Sequence, residues 1–222
     1  NGIIGEKDAC GVGFVANVEG IESNWILKQS LKGLNCMEHR GGCGGDSDSG
    51  DGAGILCSIP WGYLEEKINL KNTQEFNRGL GMVFMPNKKE KIEVCKSICD
   101  QEAEKLKVNK TSWRKVPVNN EILGPLAKAN APFICQWILY IDKKDHKDVE
   151  RLLFQLRKRI EKKIRETFKN DVGDCEFYFA SLSSQTVVYK GMVRSEILSE
   201  FYQDLKEESF KVSFSVYHRR FS

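Results

Sequence analysis

The sequence has 222 residues, enough for one large domain or two small ones with a buried core. Its 34 basic and 31 acidic residues give a formal charge of +3 and are spread along the chain, which argues against a nucleic-acid partner. No apolar run of about 18 residues occurs, so we expect no membrane span.

The hydrophobic pattern alternates between short runs typical of strands and helical repeats of apolar residues. In chain order we predict strand 11–18, helix 24–37, strand 53–59, helix 60–68, strand 79–86, helix 88–107, strand 132–141, helix 146–168, strands 175–182 and 185–191, helix 194–205 and strand 210–218. Ser23 is expected to cap the first helix. No repeat or linker interrupts this order, so we predict a single domain of layered sheets and helices.

Two parts of the chain are less regular. The segment 108–132 has three prolines and weak periodicity, which predicts a loop with one short helix near 121–129. The strands over 175–182 and 185–191 are separated by only a few residues, which predicts a hairpin across Ser183 and Ser184.

Cys10 stands at the head of the first predicted strand, in DACGVGFVAN at residues 8–17. One interpretation is a thiol packed in the core. The other is that Cys10 becomes the first residue of the mature protein, so that its α-amine acts as base for its own sulfur. The thiol and the amine have ordinary pKa values of about 8 to 8.5, so proton transfer is accessible near neutral pH. Gly11 and Gly13 are expected to let the backbone lie close to a substrate.

A loop rich in glycine and acidic residues occupies 37–54, with the sequence MEHRGGCGGDSDSGDGAG. A phosphate cradle is disfavoured, because the aspartates repel phosphate and no GK[ST] ending follows. Calcium is disfavoured because the nonapeptide pattern breaks at Asp48 and the EF-hand pattern breaks at Cys57. We predict a tight ordered loop in which Arg40 and Asp51 are available to pair.

Three segments together resemble a known family: DACGVGFVA at 8–16, MEHRGGCGGDSDSGDGAGILCSIPW at 37–61 and HRRFS at 218–222. They resemble the amino-terminal class II glutamine amidotransferase domain of glutamate synthases. The wording EHRGGC, GDGAGI and IPW is more similar to the ferredoxin-dependent branch than to the NAD(P)H-dependent one. The resemblance implies an α+β fold, the four-layer αββα sandwich of amino-terminal nucleophile hydrolases.

The resemblance also implies roles for the site residues. Cys10 is the nucleophile, and Arg220 in HRRFS binds the glutamine carboxylate through its planar fork. Arg40 and Asp51 match positions that shape the pocket around the nucleophile, and Gly11 follows the nucleophile directly. No CxxC pair is present, so no metal site is expected.

The remaining polar residues near these motifs receive structural interpretations. His39 and His218 are expected to form structural hydrogen bonds, since the amine of Cys10 already supplies the base. Arg219 is the neighbour of the carboxylate-binding arginine and is expected to tolerate substitution by lysine.

The resemblance divides the chain into a leader over 1–9 and an amidotransferase domain over 10–222 that is incomplete at its C-terminal end. The leader is expected to be removed between Ala9 and Cys10. The asparagine and glycine of the oxyanion hole, and the aspartate that holds the glutamine amine, are expected beyond Ser222. Loss of one oxyanion donor costs about 3 kcal/mol, so we expect residues 1–222 alone to be nearly inactive.

For the complete enzyme the resemblance implies that ammonia released at Cys10 converts 2-oxoglutarate to glutamate at a flavin site. No cofactor is expected in this segment, whereas FMN and an iron–sulfur cluster are implied for the full-length enzyme. The implied partners are L-glutamine, the other synthase domains of the same chain and ferredoxin. Eight cysteines without a signal peptide indicate a reducing compartment, so we expect the plastid stroma or the cytoplasm rather than secretion.

Two alternatives stay open at the level of the sequence. A class II amidotransferase of another pathway shares the cysteine and the H-x-R motif, but its loop reads more like YRGYDS or HRGQES than EHRGGC. A non-catalytic module with the same fold is the second alternative.

Overall fold

The computed structural model describes residues 11–37, 52–68, 75–142, 145–169 and 176–219. The strands in these ranges are β1 (Gly11–Ala16), β2 (Ala53–Ser58), β3 (Phe76–Met85), β4 (Lys110–Lys115), β5 (Phe133–Asp142), β6 (Tyr178–Ser183), β7 (Thr186–Gly191) and β8 (Phe214–Arg219). The helices are α1 (Asn24–Cys36), α2 (Trp61–Ile68), α3 (Lys89–Lys105), α4 (Pro125–Ala129), α5 (His146–Thr167) and α6 (Leu198–Phe201). Short 3₁₀ turns cover Asn120–Ile122, Ser195–Ile197 and Gln203–Lys206.

These strands form two antiparallel sheets. Sheet one has the strand order β1, β8, β2, β7, and sheet two has the order β4, β5, β3, β6. Helix α1 packs on β1 and β8, whereas α3 and α5 pack together over sheet two. Helices therefore flank two layered sheets, which confirms the predicted α+β sandwich.

Strand β5 separates the two hydrophobic cores of the described chain. One set of its side chains joins the core shared with sheet one and α1, namely Ile134, Ile138 and Tyr140. The alternate set joins the core beneath α3 and α5, namely Cys135, Trp137, Leu139 and Ile141. Successive side chains of a strand point to opposite faces, so one buried strand serves both cores and its sequence is nearly all apolar, with Gln136 as the polar exception.

A buried polar network links sheet one to sheet two. Asp204, in a 3₁₀ turn, is fully buried and accepts two 2.8 Å hydrogen bonds from the guanidinium of Arg114 in β4. Asp204 also accepts from the hydroxyls of Tyr63 at 2.7 Å and Tyr189 at 3.1 Å, and Gln136 donates to Tyr189 at 2.9 Å. Burial and the Asp204 charge raise the pKa of both tyrosines, so their hydroxyls remain donors at neutral pH.

Most of the predicted strands and helices are confirmed, with ends that differ by a few residues. The longest helix, predicted over 146–168, is α5 at His146–Thr167. Ser23 holds the N-cap position of α1, but its side chain makes no capping bond. Its backbone exchanges hydrogen bonds of 3.0 and 3.3 Å with Val212 instead, so a bridge to the chain before β8 fixes the start of α1.

The prediction of a loop over 108–132 missed a strand, β4, although the short helix within the segment is present as α4. Most side chains of β4 are polar, and Trp113 and Arg114 each donate to a carboxylate on one face of the strand. Arg114 reaches Asp204 on one face, and Trp113 donates to the Asp100 carboxylate of α3 on the other. The strand therefore lacks the apolar alternation by which strands are recognised.

The predicted hairpin over 175–191 is wrong in its pairing. Strand β6 pairs with β3 in sheet two, whereas β7 pairs with β2 in sheet one. The connection between them crosses from one sheet to the other and is held by Glu150 of α5, which accepts hydrogen bonds from Ser183 and Ser184. Period-2 alternation specifies a strand but does not specify the strand with which it pairs.

The single helix predicted over 194–205 is divided into α6 and two 3₁₀ turns. The break falls at Tyr202, whose backbone is extended and forms a bridge with Val118. None of the described helices is long and apolar enough to cross a membrane.

Asp204→Asn should destabilise the protein strongly, because it leaves the Arg114 guanidinium buried without a charged partner. Removing one member of a buried ion pair costs about 3–5 kcal/mol, which urea unfolding followed by circular dichroism can measure. The matched control is Glu208→Gln, which removes a carboxylate from the exposed pair with Lys28 and should change the free energy of unfolding by less than about 1 kcal/mol. Equal losses in the two variants would contradict the prediction.

Gly54→Ala should destabilise the close pairing of β2 with its neighbours. A Cβ at Gly54 would lie 2.9 Å from Cβ of Lys190 and 3.1 Å from the carbonyl oxygen of Tyr189, and such overpacking costs about 1–3 kcal/mol. Gly62→Ala in α2 is the control, because a Cβ there meets nothing within 4 Å and alanine favours a helix by about 1 kcal/mol. Thermal unfolding should move the two melting temperatures in opposite directions, and a shared direction would argue against the packing constraint.

Candidate functional site

The three segments that carry the resemblance lead into or lie on three neighbouring strands of sheet one. Strand β1 follows Cys10, β2 follows the glycine-rich loop, and β8 contains the first two residues of HRRFS. Strand β8 lies between β1 and β2 and pairs with both. At its end, Arg219 is opposite Gly11 of β1 and Ala53 of β2. Antiparallel pairing thus brings the described parts of the three motifs together at one end of these three strands.

Four of the predicted site residues lie outside the described residues: Cys10, Arg40, Asp51 and Arg220. Gly11 is described and is the first residue of β1. The structure therefore places the residues that follow Cys10 and Asp51 and the residue that precedes Arg220. The roles of the four side chains stay predictions.

Arg219 is a residue whose importance the sequence did not reveal. Its side chain is 1% exposed, and its Nη1 donates a 2.9 Å hydrogen bond to the carbonyl oxygen of Gly52. This placement argues against the expectation that lysine is tolerated here, because lysine cannot present the same planar fork. The sequence carried no signal for this burial, because it depends on the pairing of β8 with both β1 and β2.

His218 packs against the backbone of β2. A Cβ on Gly54 would come within 2.7 Å of the imidazole Cε1 of His218, so the glycine admits the ring. Burial and the nearby Lys190 charge lower the pKa of His218, so the imidazole is neutral at pH 7. The ring is thus packed on the neighbouring strand, and the structural hydrogen bond expected of His218 stays a prediction.

Gly13 makes room for a neighbouring side chain, and the substrate approach expected of it stays a prediction. A Cβ on Gly13 would lie 2.5 Å from the ring and hydroxyl of Tyr217 in β8. The same hydroxyl lies 2.4 Å from the position that a Cβ on Gly33 of α1 would occupy. Tyr217 therefore sits between β1 and α1, and the two glycines make room for it.

The described cysteines are unlike an activated nucleophile. Four are buried, namely Cys57, Cys95, Cys99 and Cys135, and Cys36 is exposed. Burial raises the pKa of Cys57 and Cys99 well above the usual range and raises that of Cys135 to about 11, so these thiols remain protonated at neutral pH. Across the described ranges, no group of three or more histidine, cysteine, aspartate or glutamate residues could hold a metal ion.

Comparison with known proteins agrees with this arrangement. The family model of class II glutamine amidotransferases matches residues 10–222, and the match begins at Cys10. The chain is 42% identical over 99% of its length to ferredoxin-dependent glutamate synthase 1, chloroplastic/mitochondrial, of Arabidopsis thaliana. It is 43% identical over 99% of its length to ferredoxin-dependent glutamate synthase 2 of a Synechocystis strain.

The chain spans 14% of the length of each of these two relatives. The family model covers nearly all of the chain, and the two sheets with flanking helices have the layered α+β architecture expected for it. The chain therefore belongs to the class II glutamine amidotransferase family.

Proposed function

We propose that this chain is the glutaminase portion of a ferredoxin-dependent glutamate synthase. In this proposal it hydrolyses the side-chain amide of L-glutamine and supplies ammonia for the conversion of 2-oxoglutarate to glutamate. The observation that carries the proposal is the pairing of Gly11 with Arg219, because these residues are the chain neighbours of Cys10 and Arg220. Each of the two proposed functional residues is thus the chain neighbour of one member of a paired position, which supports the proposal that they act on the same amino acid.

Cys10 is the proposed nucleophile, with its own α-amine as base after removal of residues 1–9. The amine takes the thiol proton, and the thiolate attacks the amide carbon of glutamine. The carbon–nitrogen bond then breaks, the proton passes from the amine to the departing nitrogen, and ammonia leaves behind a thioester. Water, activated by the same amine, cleaves the thioester to glutamate and restores the thiol.

Arg220 is the proposed clamp for the α-carboxylate of glutamine, and Arg40 and Asp51 are proposed to shape the pocket. A guanidinium meets a carboxylate with two parallel hydrogen bonds, which fixes the orientation of the substrate. Orientation matters because the amide carbon must lie in reach of the sulfur. Gly11, paired with Arg219 at the end of β8, connects the nucleophile to this framework.

The complete protein is proposed to contain the cofactors and partners that this segment does not supply. FMN, an iron–sulfur cluster and ferredoxin belong to the proposed synthase, and its location is proposed to be the plastid stroma or a cyanobacterial-like cytoplasm. The matched relatives support this assignment through their names, which are those of ferredoxin-dependent synthases.

A glutamine-mimicking electrophile such as 6-diazo-5-oxo-norleucine should label Cys10 alone among the thiols of the complete protein. Intact-mass analysis should show that the labelled protein has lost residues 1–9, because only a free amine can act as the base. Exposed Cys36 is the internal control, since it is accessible but has no proposed glutamine pocket. Labelling that falls mainly on Cys36, Cys43 or Cys57, or on a protein that keeps residues 1–9, would reject the mechanism.

Arg220→Lys should weaken glutamine use by about 1.5–3 kcal/mol, because the charge remains but the bidentate fork is lost. The measurement is kcat/KM for glutamine in the complete protein, with ammonia-dependent glutamate synthesis measured in parallel. Ammonia bypasses the clamp, so that rate should not change. Arg151→Lys on the exposed surface of α5 is the control. A parallel fall in both activities would indicate a structural role for Arg220.

A further inference from the structure

The buried side chain of Arg219 belongs to the end of β8, where this strand pairs with β1 on one side and β2 on the other. Arg219 is the last residue of β8 and is opposite Gly11 in β1 and Ala53 in β2. It precedes the proposed clamp Arg220, and its partner across β1 follows the proposed nucleophile Cys10. A shift of Arg219 would therefore displace the backbone positions next to both proposed functional residues.

The hydrogen bond from Arg219 ties this junction to the backbone that enters β2. Nη1 of Arg219 donates to the carbonyl oxygen of Gly52 at 2.9 Å. Gly52 has a φ of 115°, a conformation that residues with a side chain rarely adopt. The direction of this carbonyl thus depends on Gly52, which is the third residue of the motif GDGAGI.

Burial makes loss of the hydrogen bond between Arg219 and Gly52 unfavourable. At 1% exposure, the guanidinium has little water to replace a lost protein partner, and an unsatisfied buried charge is strongly unfavourable. A one-residue slip of β8 would also turn this side chain to the opposite face of the sheet. The end of β8 therefore has one favoured position relative to β1 and β2.

We propose that Arg219 is a positioning residue of the glutaminase site, which holds the end of β8 so that Arg220 meets the substrate that Cys10 attacks. This inference rests on the proposed function. Arg219 acts through its neighbours and is not a catalytic residue. Its removal should weaken the capture of glutamine and leave the use of ammonia intact.

The test compares Arg219→Lys and Arg219→Met in the complete protein. Methionine keeps much of the volume but removes every donor, whereas lysine keeps the charge and one donor group. We expect Arg219→Met to raise KM for glutamine about tenfold or more, with a smaller rise for Arg219→Lys, because small displacements at a reacting centre have large effects. Ammonia-dependent synthesis should stay within about twofold of the wild type.

Arg114→Lys is the matched control, because it also alters a buried arginine but lies in the Asp204 network of sheet two. It should lower the melting temperature without raising KM for glutamine in the folded protein. An equal rise of KM in Arg114→Lys would overturn the inference, as would an unchanged KM in folded Arg219→Met. Failure of both Arg219 variants to fold while Arg114→Lys folds would also overturn it, in favour of a structural role.

Amide hydrogen exchange separates failure of this inference from failure of the proposed function. Exchange at Gly11–Gly13 and at Ala53 should accelerate in Arg219→Met whether or not glutamine is the substrate, because the junction is loosened. Wild-type protein that is not labelled at Cys10 would reject the proposed function alone. Wild-type labelling at Cys10 together with unchanged exchange and KM in the variants would reject only the role of Arg219.

Discussion

The pairing of β8 with β1 on one side and β2 on the other is the constraint on which the site depends. It joins three segments that are far apart in the chain, and its register brings Gly11, Arg219 and Ala53 together. Gly54 and Gly13 lack side chains where His218 and Tyr217 approach the neighbouring strands. These two glycines thus make room for side chains of β8.

Sheet two supports this arrangement without contributing a proposed site residue. Its two faces serve separate cores, and the Asp204 network connects it to sheet one through Arg114 and Tyr189. A buried charge with several good donors is favourable only in one geometry, so the network favours a single relation of the two sheets. The position of sheet one relative to the rest of the domain is fixed in this way.

The sequence predicted the elements that obey a simple period and missed those that do not. Helix α5 was recognised because its apolar residues repeat regularly, and strand β5 because its apolar run is broken only at Gln136 before it ends at Asp142. Strand β4 was missed because Trp113 and Arg114 donate to carboxylates that lie far away in the sequence or on another element, which no local pattern encodes. The motifs predicted which segments form the site, but the burial of Arg219 follows from the strand order, and strand order is set by long-range packing.

The indole rings of sheet two provide an optical consequence. Trp113 and Trp137 stack at 5.3 Å between ring centres, and both donate to the Asp100 carboxylate. Two aromatic chromophores held so close in a chiral setting couple their transitions, so this pair should contribute to the circular dichroism of the protein. Sheet one has no tryptophan in its strands. The signal of this pair therefore reports on β4 and β5 when residues at the end of β8 are altered. It distinguishes a local change at the end of β8 from loss of the whole domain.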